Sequence, residues 1–283
     1  MDERPESNYD LEEPTLFNTG NPYFLLFFAA SCLFSTFFLQ QVLVIANQTR
    51  LSITLAPTAG ILLPIYILTR RFPLGLRDQL RIHKPDMRVL LWVVMASLAI
   101  VIVVDYLYIF SQRVLPPPEN YLEGLKNIRP TNVWTAVVTF FGLCIVVPVA
   151  EEIIIRGIVQ RVFARNMGDL LAFLLAGALF GVIHLNPHLL ASMVTFGIFL
   201  GFIFYATRNL TYAIVAHATL NCVAFVQLSL ADEEDMEMAP FYLQEIWYLF
   251  AAAALVGILL WQIKKGSPSD DEPPEDPLNS QIQ

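Results

Sequence analysis

Uncharged apolar runs of about twenty residues recur along this chain and limit its possible folds more than any other feature. Residues 133–150, for example, contain no charged side chain. A helix needs about 20 apolar residues to cross a bilayer, where it satisfies its own backbone hydrogen bonds. Of the 283 residues, 56% are hydrophobic and 15% are charged, whereas soluble domains carry about 25% charged residues. The sequence therefore predicts an all-α, polytopic transmembrane helical bundle.

We expect about eight spans in one transmembrane domain, residues 21–265, with its core at 133–230. The predicted spans are residues 23–46, 51–69, 89–110, 133–165, 169–185, 189–207, 212–230 and 246–263. Acidic tails at residues 1–20 and 266–283 have compositions typical of disorder. Residues 121–128, in the loop after the third span, predict a short amphipathic surface helix.

Charge and cysteine usage exclude several classes of protein. The net charge of −8 comes largely from the tails and argues against nucleic-acid binding. Most of the 17 Lys and Arg residues fall on the side of both termini, so the positive-inside rule predicts cytoplasmic termini. In a bacterium, this multi-pass protein would lie in the cytoplasmic (plasma) membrane. Cys32, Cys144 and Cys222 are scattered in apolar runs and predict neither a disulfide framework nor a zinc site.

Polar side chains interrupt the apolar second half at three places. They are Glu151, Glu152 and Arg156, then His184, then His217 and Asn221. Ionisable residues inside a membrane are energetically costly and usually mark function. Residues four apart share a helix face, so Glu152 can pair with Arg156. Its neighbour Glu151 points about 100° away and remains free for another role.

The lengths of the predicted helices bring these groups to one level. Residues 166–168 predict a tight turn between two antiparallel helices, and Glu151 and His184 lie equally far from it. At 1.5 Å per residue both are about 24 Å from the turn, so we expect them at one level. His217 and Asn221 share one face of a later span and reach a similar depth. Arg156, only about 8 Å from Glu151, suggests that the membrane interface lies nearby.

The combined set of side chains suits hydrolysis of an amide bond. A carboxylate beside an imidazole can position and deprotonate water, and His217 and Asn221 can donate hydrogen bonds to the oxyanion of a tetrahedral intermediate. No Ser or Cys is placed as a nucleophile with an adjacent base. The spacing His-Glu-x-x-His, typical of zinc proteases, is absent.

The ordered motifs Glu-Glu-x-x-x-Arg, Phe-x-x-x-His and His-x-x-x-Asn, at residues 151–221, resemble the CPBP intramembrane protease family. That family includes CAAX prenyl endopeptidases, bacteriocin-processing or self-immunity proteins and abortive-infection (Abi) proteins. The resemblance implies that Glu151 and His184 activate water, and that His217 and Asn221 stabilise the oxyanion. Glu152 and Arg156 would form a supporting ion pair. Ile155 departs from the family, which often has an aromatic residue there.

The sequence leaves the metal and the exact function open. The family has been described as metalloendopeptidases, and Glu151, His184 and His217 would suit one divalent ion, most naturally zinc. The resemblance favours a metal-free mechanism with no cofactor. The expected partners are the lipid bilayer and a membrane-associated substrate, either CAAX-like or a leader peptide; the oligomeric state is open. One alternative is a non-proteolytic scaffold or bacteriocin self-immunity factor, and a weaker one is a transporter.

Overall fold

The computed structural model describes residues 20–70, 76–231 and 246–267. Within these ranges the chain forms ten helices and no strand, which confirms the predicted all-α fold. In chain order the helices are α1 (Pro22–Ile45), α2 (Thr49–Thr69), α3 (Leu76–Gln79), α4 (Met87–Val114), α5 (Glu119–Ile128), α6 (Val133–Met167), α7 (Asp169–Val182), α8 (Leu190–Thr207), α9 (Leu210–Leu230) and α10 (Ile246–Gly266). The predicted tails lie outside the described residues, apart from Gly20, Gly266 and Ser267.

Seven helices of the described ranges are long and apolar enough to cross a membrane, namely α1, α2, α4, α6, α8, α9 and α10. The chain is therefore a multi-pass integral membrane protein. The prediction of an eighth span at residues 169–185 has to be corrected. The helix found there, α7, has 14 residues and is only about 21 Å long. The bilayer core is about 30 Å thick. The helix ends at Val182, the chain leaves the right-handed helical region at Leu185, whose φ is +50°, and Pro187 keeps the preceding Asn186 out of a helical conformation.

The long helix α6 contains a π turn that begins at Gly142 and precedes Pro148. The Val147 N–H donates to the Gly142 oxygen, and Pro148 has no N–H to donate. The carbonyl oxygen of Leu143 is therefore left without its usual helical donor. Asn221 Nδ2, on α9, donates to that oxygen at 2.8 Å. A local irregularity of α6 thus fixes the position of one predicted site residue.

The helices α7 and α8 pack closely because glycines lie where they cross. A Cβ atom added to Gly197 of α8 would lie 2.5 Å from the Gly177 oxygen of α7. Such small residues let membrane helices approach each other. The preceding connection, from α6 to α7, turns at Gly168, whose φ of 81° favours glycine. This arrangement brings α7 and α8 back along α6.

We expect Gly197→Ala to destabilise the fold by about 1–3 kcal/mol, because the added methyl group overpacks the α7–α8 contact. Gly257→Ala is the matched control, since nothing lies within 4 Å of a Cβ atom added there and alanine favours a helix by up to about 1 kcal/mol. Unfolding midpoints in detergent micelles measure both variants. Equal midpoints for Gly197→Ala and the parent protein would contradict the packing argument.

The end of α3 and the loop after it pack into the bundle beside α6 and α9. The Leu210 N–H, at the start of α9, donates to Arg81 O at 2.9 Å, and Arg161 Nη1 of α6 donates to Gln79 O at 2.8 Å. A Cβ atom added to Gly157 of α6 would lie within 4 Å of Leu210. Polar loop backbone therefore reaches the level of residues 157–161, well before α6 ends.

Candidate active site

The two adjacent glutamates of α6 point into different surroundings, as the helical geometry predicts. The side chain of Glu152 is fully buried, whereas that of Glu151 is 23% exposed. Successive residues on a helix differ by about 100°, so one carboxylate faces the bundle interior while the other reaches its edge. Of the two, Glu151 is the carboxylate that a substrate or water can approach.

Arg156 forms the ion pair with Glu152 that their four-residue spacing predicts. Its Nη1 donates to Glu152 Oε1 at 2.9 Å, and both side chains are fully buried. Its Nη2 donates to Gly197 O of α8 at 2.8 Å. The guanidinium carbon lies 4.8 Å from the centre of the Phe180 ring of α7, a cation–π contact. The arginine therefore joins α6, α7 and α8 around the buried carboxylate.

His217, on α9, lies between the two glutamates. Its Nδ1 donates to Glu152 Oε1 at 2.9 Å, and its Nε2 lies 3.9 Å from Glu151 Oε2. The rings of Phe180 and Phe196 meet the imidazole edge-on, with centres 5.7 Å and 5.3 Å away. The bond to Glu152 is a feature that sequence reasoning missed, because it depends on how α9 packs against α6.

His184 lies in the turn after α7, two residues beyond the end of that helix. Its Nδ1 donates to Phe180 O at 2.6 Å, and its ring centre is 4.8 Å from that of Phe180. Because Nδ1 carries the donated hydrogen, Nε2 of the neutral ring is an acceptor. Among the described residues, no hydrogen bond or ion pair joins His184 to Glu151, so any cooperation between them would act through water.

Asn221 lies one turn beyond His217 on the same face of α9, as its spacing predicts. One amide hydrogen is used by Leu143 O. An amide carries two such hydrogens, so one remains for another acceptor. The bond to Leu143 also gives Asn221 a role in holding α9 against α6, independent of any chemistry.

Phe180 is the central side chain that the sequence argument left without a role. It is buried, and its ring contacts Arg156, His184 and His217. Its position four residues before His184 was a signal for one of these contacts, because residues four apart lie over each other on a helix. The other contacts depend on tertiary packing.

The turn between α7 and α8 contacts Leu115, which precedes α5, and Tyr121, which lies in α5. His188 lies in this turn, and its Nδ1 donates to Leu115 O at 2.7 Å. The Tyr121 ring lies beside it, with centres 6.4 Å apart. Burial, together with a hydrogen bond to Tyr108, raises the pKa of the Tyr121 phenol, which therefore stays neutral. This contact restrains the turn that carries His184.

The alternative metal set does not fit the observed arrangement. Across the described ranges, no three His, Cys, Asp or Glu side chains converge as a metal-ion site. Glu151, His184 and His217 therefore do not form a ready ligand set.

Comparison with known proteins gives one match, and it covers the site. Comparisons with curated proteins and with solved structures give no match. A family model, described as type II CAAX prenyl endopeptidase Rce1-like, matches residues 133–223, which include all six site residues. The match implies an intramembrane protease. Over residues 133–223, the chain thus carries the signature of the Rce1-like type II CAAX prenyl endopeptidases, and the resemblance inferred from its motifs is confirmed there.

Proposed function

We propose that this protein is an intramembrane endopeptidase that hydrolyses a peptide bond of a membrane-associated substrate by means of water activated at Glu151. The observation that carries the proposal is the placement of Glu151 beside His217. The carboxylate is partly exposed, and its Oε2 lies 3.9 Å from His217 Nε2. That separation exceeds a hydrogen bond, so the carboxylate oxygen stays available to accept from water.

The other predicted residues have complementary roles. His184 Nε2 accepts one hydrogen of the water, while Glu151 removes the other as the water oxygen bonds to the substrate carbonyl carbon. The carbonyl electron pair moves onto oxygen, and the free amide hydrogen of Asn221 stabilises that oxyanion. His217 is the second expected oxyanion donor. The carbon–nitrogen bond then breaks, and the proton taken from water goes to the leaving nitrogen.

The apolar walls around these groups support the chemistry. Phe180 and Phe196 cover His217, and the Glu152–Arg156 pair is closed to solvent. Fixed hydrogen-bond donors act more strongly in such a water-poor environment than in water. This arrangement suits a substrate that enters from the membrane.

Incubation of the purified protein in liposomes with membrane-tethered reporter peptides tests the function. Three reporters separate the substrate classes: a prenylated CAAX-like peptide, its unprenylated counterpart and a leader-type peptide. Mass spectrometry of both products identifies the bond that is cleaved. Cleavage of none of them, by protein whose fold is intact, would favour the alternative of a non-proteolytic scaffold or self-immunity factor. A non-proteolytic protein with this fold would still need the hydrogen bond from Asn221 to Leu143 O, because that bond holds α9 against α6.

We expect cleavage to persist after treatment with a metal chelator, because the donor atoms are not arranged as a ligand set. Activity before and after chelation, followed by addition of zinc, measures this. Loss of activity that zinc restores would overturn the metal-free mechanism and would assign Glu151, His184 and His217 as the ligands to test first.

The site is proposed to open toward a cytoplasmic side that also holds both termini. Glu151 lies six residues before Gly157, about 9 Å along α6, and His217 lies about 10 Å into α9 from Leu210. Both distances are counted from Gly157 and Leu210, which lie at the level where the polar backbone of residues 79–81 packs into the bundle. The last turns of α6 would then project beyond the membrane, which accounts for the 24 Å to the α6–α7 turn.

Cysteine labelling from outside intact cells tests this orientation. We expect Gly168→Cys to resist a membrane-impermeant maleimide and Glu123→Cys, on exposed α5, to react with it. The background of the test lacks the three native cysteines. The reverse labelling pattern would place the termini and the basic end of the bundle outside.

A further inference from the structure

We propose that Glu152 is the positioning residue of His217: it holds the Nδ1 hydrogen and so presents Nε2 to Glu151 as the atom that takes up a proton and later returns it. The geometry belongs to the resting protein, while its kinetic consequence rests on the proposed peptidase function. This assigns to Glu152 a role beyond the ion pair with Arg156.

The ion pair is not arranged as one whose only task is to hold helices together. A guanidinium and a carboxylate fit best through two parallel hydrogen bonds, one to each oxygen. Here Arg156 gives Glu152 only Nη1, and its Nη2 goes to Gly197 O. Glu152 Oε1 accepts from both Arg156 and His217, at 2.9 Å each, while the buried Oε2 has no hydrogen-bond partner among the described residues. The carboxylate is thus oriented toward the histidine.

The environment of His217 fixes the ring in one orientation. Phe180 and Phe196 meet it edge-on, and its side chain is only 4% exposed. With the hydrogen on Nδ1 directed at Glu152, the neutral ring has a lone pair on Nε2. His217 can therefore donate from Nε2 only after it has gained a proton, which refines its expected role as an oxyanion donor.

The proton balance of the proposed reaction follows from this tautomer. As the water oxygen bonds to the carbonyl carbon, Glu151 takes the water proton and passes it to His217 Nε2, once their separation of 3.9 Å has closed to hydrogen-bond length. When that proton is on Nε2, the imidazolium lies between two carboxylates, and Glu152 balances its charge. The Nε2–H donates to the leaving nitrogen as the carbon–nitrogen bond breaks. The nitrogen keeps the proton, and His217 returns to its Nδ1–H form.

Nitrogen-15 NMR of histidine-labelled protein in micelles tests the resting tautomer without any substrate. The chain has 4 histidines, and a His217→Gln variant assigns the signals of interest. We expect His217 to carry hydrogen on Nδ1 and none on Nε2. A neutral ring with its hydrogen on Nε2 would overturn the proposal.

The double variant Glu152→Leu/Arg156→Met separates positioning from packing, because it removes both buried charges together. We expect His217 to lose its preference for the Nδ1–H form in this protein. Asp169→Asn, at the partly exposed pair with Arg208, is the matched control and should leave the His217 signals unchanged. An unchanged tautomer in the double variant would show that Glu152 does not set it.

Kinetics of Glu152→Gln tests the second part of the proposal. Glutamine keeps an oxygen that can accept from Nδ1 but carries no charge to balance the imidazolium. We therefore expect the resting tautomer to persist, while kcat falls about 100-fold or more, by analogy with the orienting carboxylate of a catalytic triad, and KM changes little. An unchanged kcat would overturn the charge-balancing role. If no reporter is cleaved by the parent protein, the proposed function fails, and the NMR result still decides the positioning of His217.

Discussion

Glu151→Gln is expected to lower the rate of reporter cleavage by between about 100-fold and 10,000-fold, the usual contribution of a general base. Glutamine has nearly the same shape, but its amide cannot accept the water proton. Since Glu151 makes no hydrogen bond within the described residues and is partly exposed, the fold should tolerate the change. The measurement is kcat/KM on the prenylated and unprenylated reporters in liposomes.

Glu123→Gln is the matched control for this variant, because it makes the same chemical change at an exposed position of α5. It should leave both cleavage and stability unchanged. The unfolding midpoint of Glu151→Gln should equal that of the parent protein, which excludes loss of fold as the cause of inactivity. Full activity of Glu151→Gln would refute the assignment of Glu151 as the base.

Local spacing was sufficient to predict the parts of the site that lie within one helix. Glu152 and Arg156 are four residues apart and form the expected pair, and the separate environments of Glu151 and Glu152 follow from the same geometry. The bond between His217 and Glu152 could not be predicted in this way. It joins residues 65 positions apart, and its existence depends on the packing of α9 against α6.

For the fold as well, local sequence predicted the helices but not the details that depend on tertiary packing. Apolar runs predicted the membrane helices because each needs about 20 apolar residues, but apolar composition alone overstated α7. Its apolar sequence continues through Ile183, while the helix stops ahead of Pro187. Pro148 raises a related difficulty. Its missing N–H was visible in the sequence, but the π turn and the Asn221 side chain that compensates for it were not.

Arg156→Met is expected to destabilise the protein by about 3–5 kcal/mol, the usual effect of removing one partner from a buried ion pair. The substitution removes the hydrogen bonds that Arg156 donates to Glu152 and to Gly197 O. Glu152, fully buried, is then left with His217 as its remaining hydrogen-bond donor. Unfolding by a denaturing detergent in mixed micelles measures the free-energy difference from the parent protein.

Arg208→Met is the matched control, since Arg208 pairs with Asp169 where both side chains are about one-fifth exposed. Partly exposed pairs contribute roughly 0–1 kcal/mol, so this change should have a much smaller effect. The double variant Glu152→Leu/Arg156→Met should recover most of the stability that Arg156→Met loses, because an apolar pair can replace a buried ion pair with little loss. Recovery of stability without recovery of catalysis would mean that the fold requires charge neutrality at this position, whereas the reaction requires the carboxylate itself. If Arg156→Met proved no less stable than Arg208→Met, the burial of the pair would not determine its contribution.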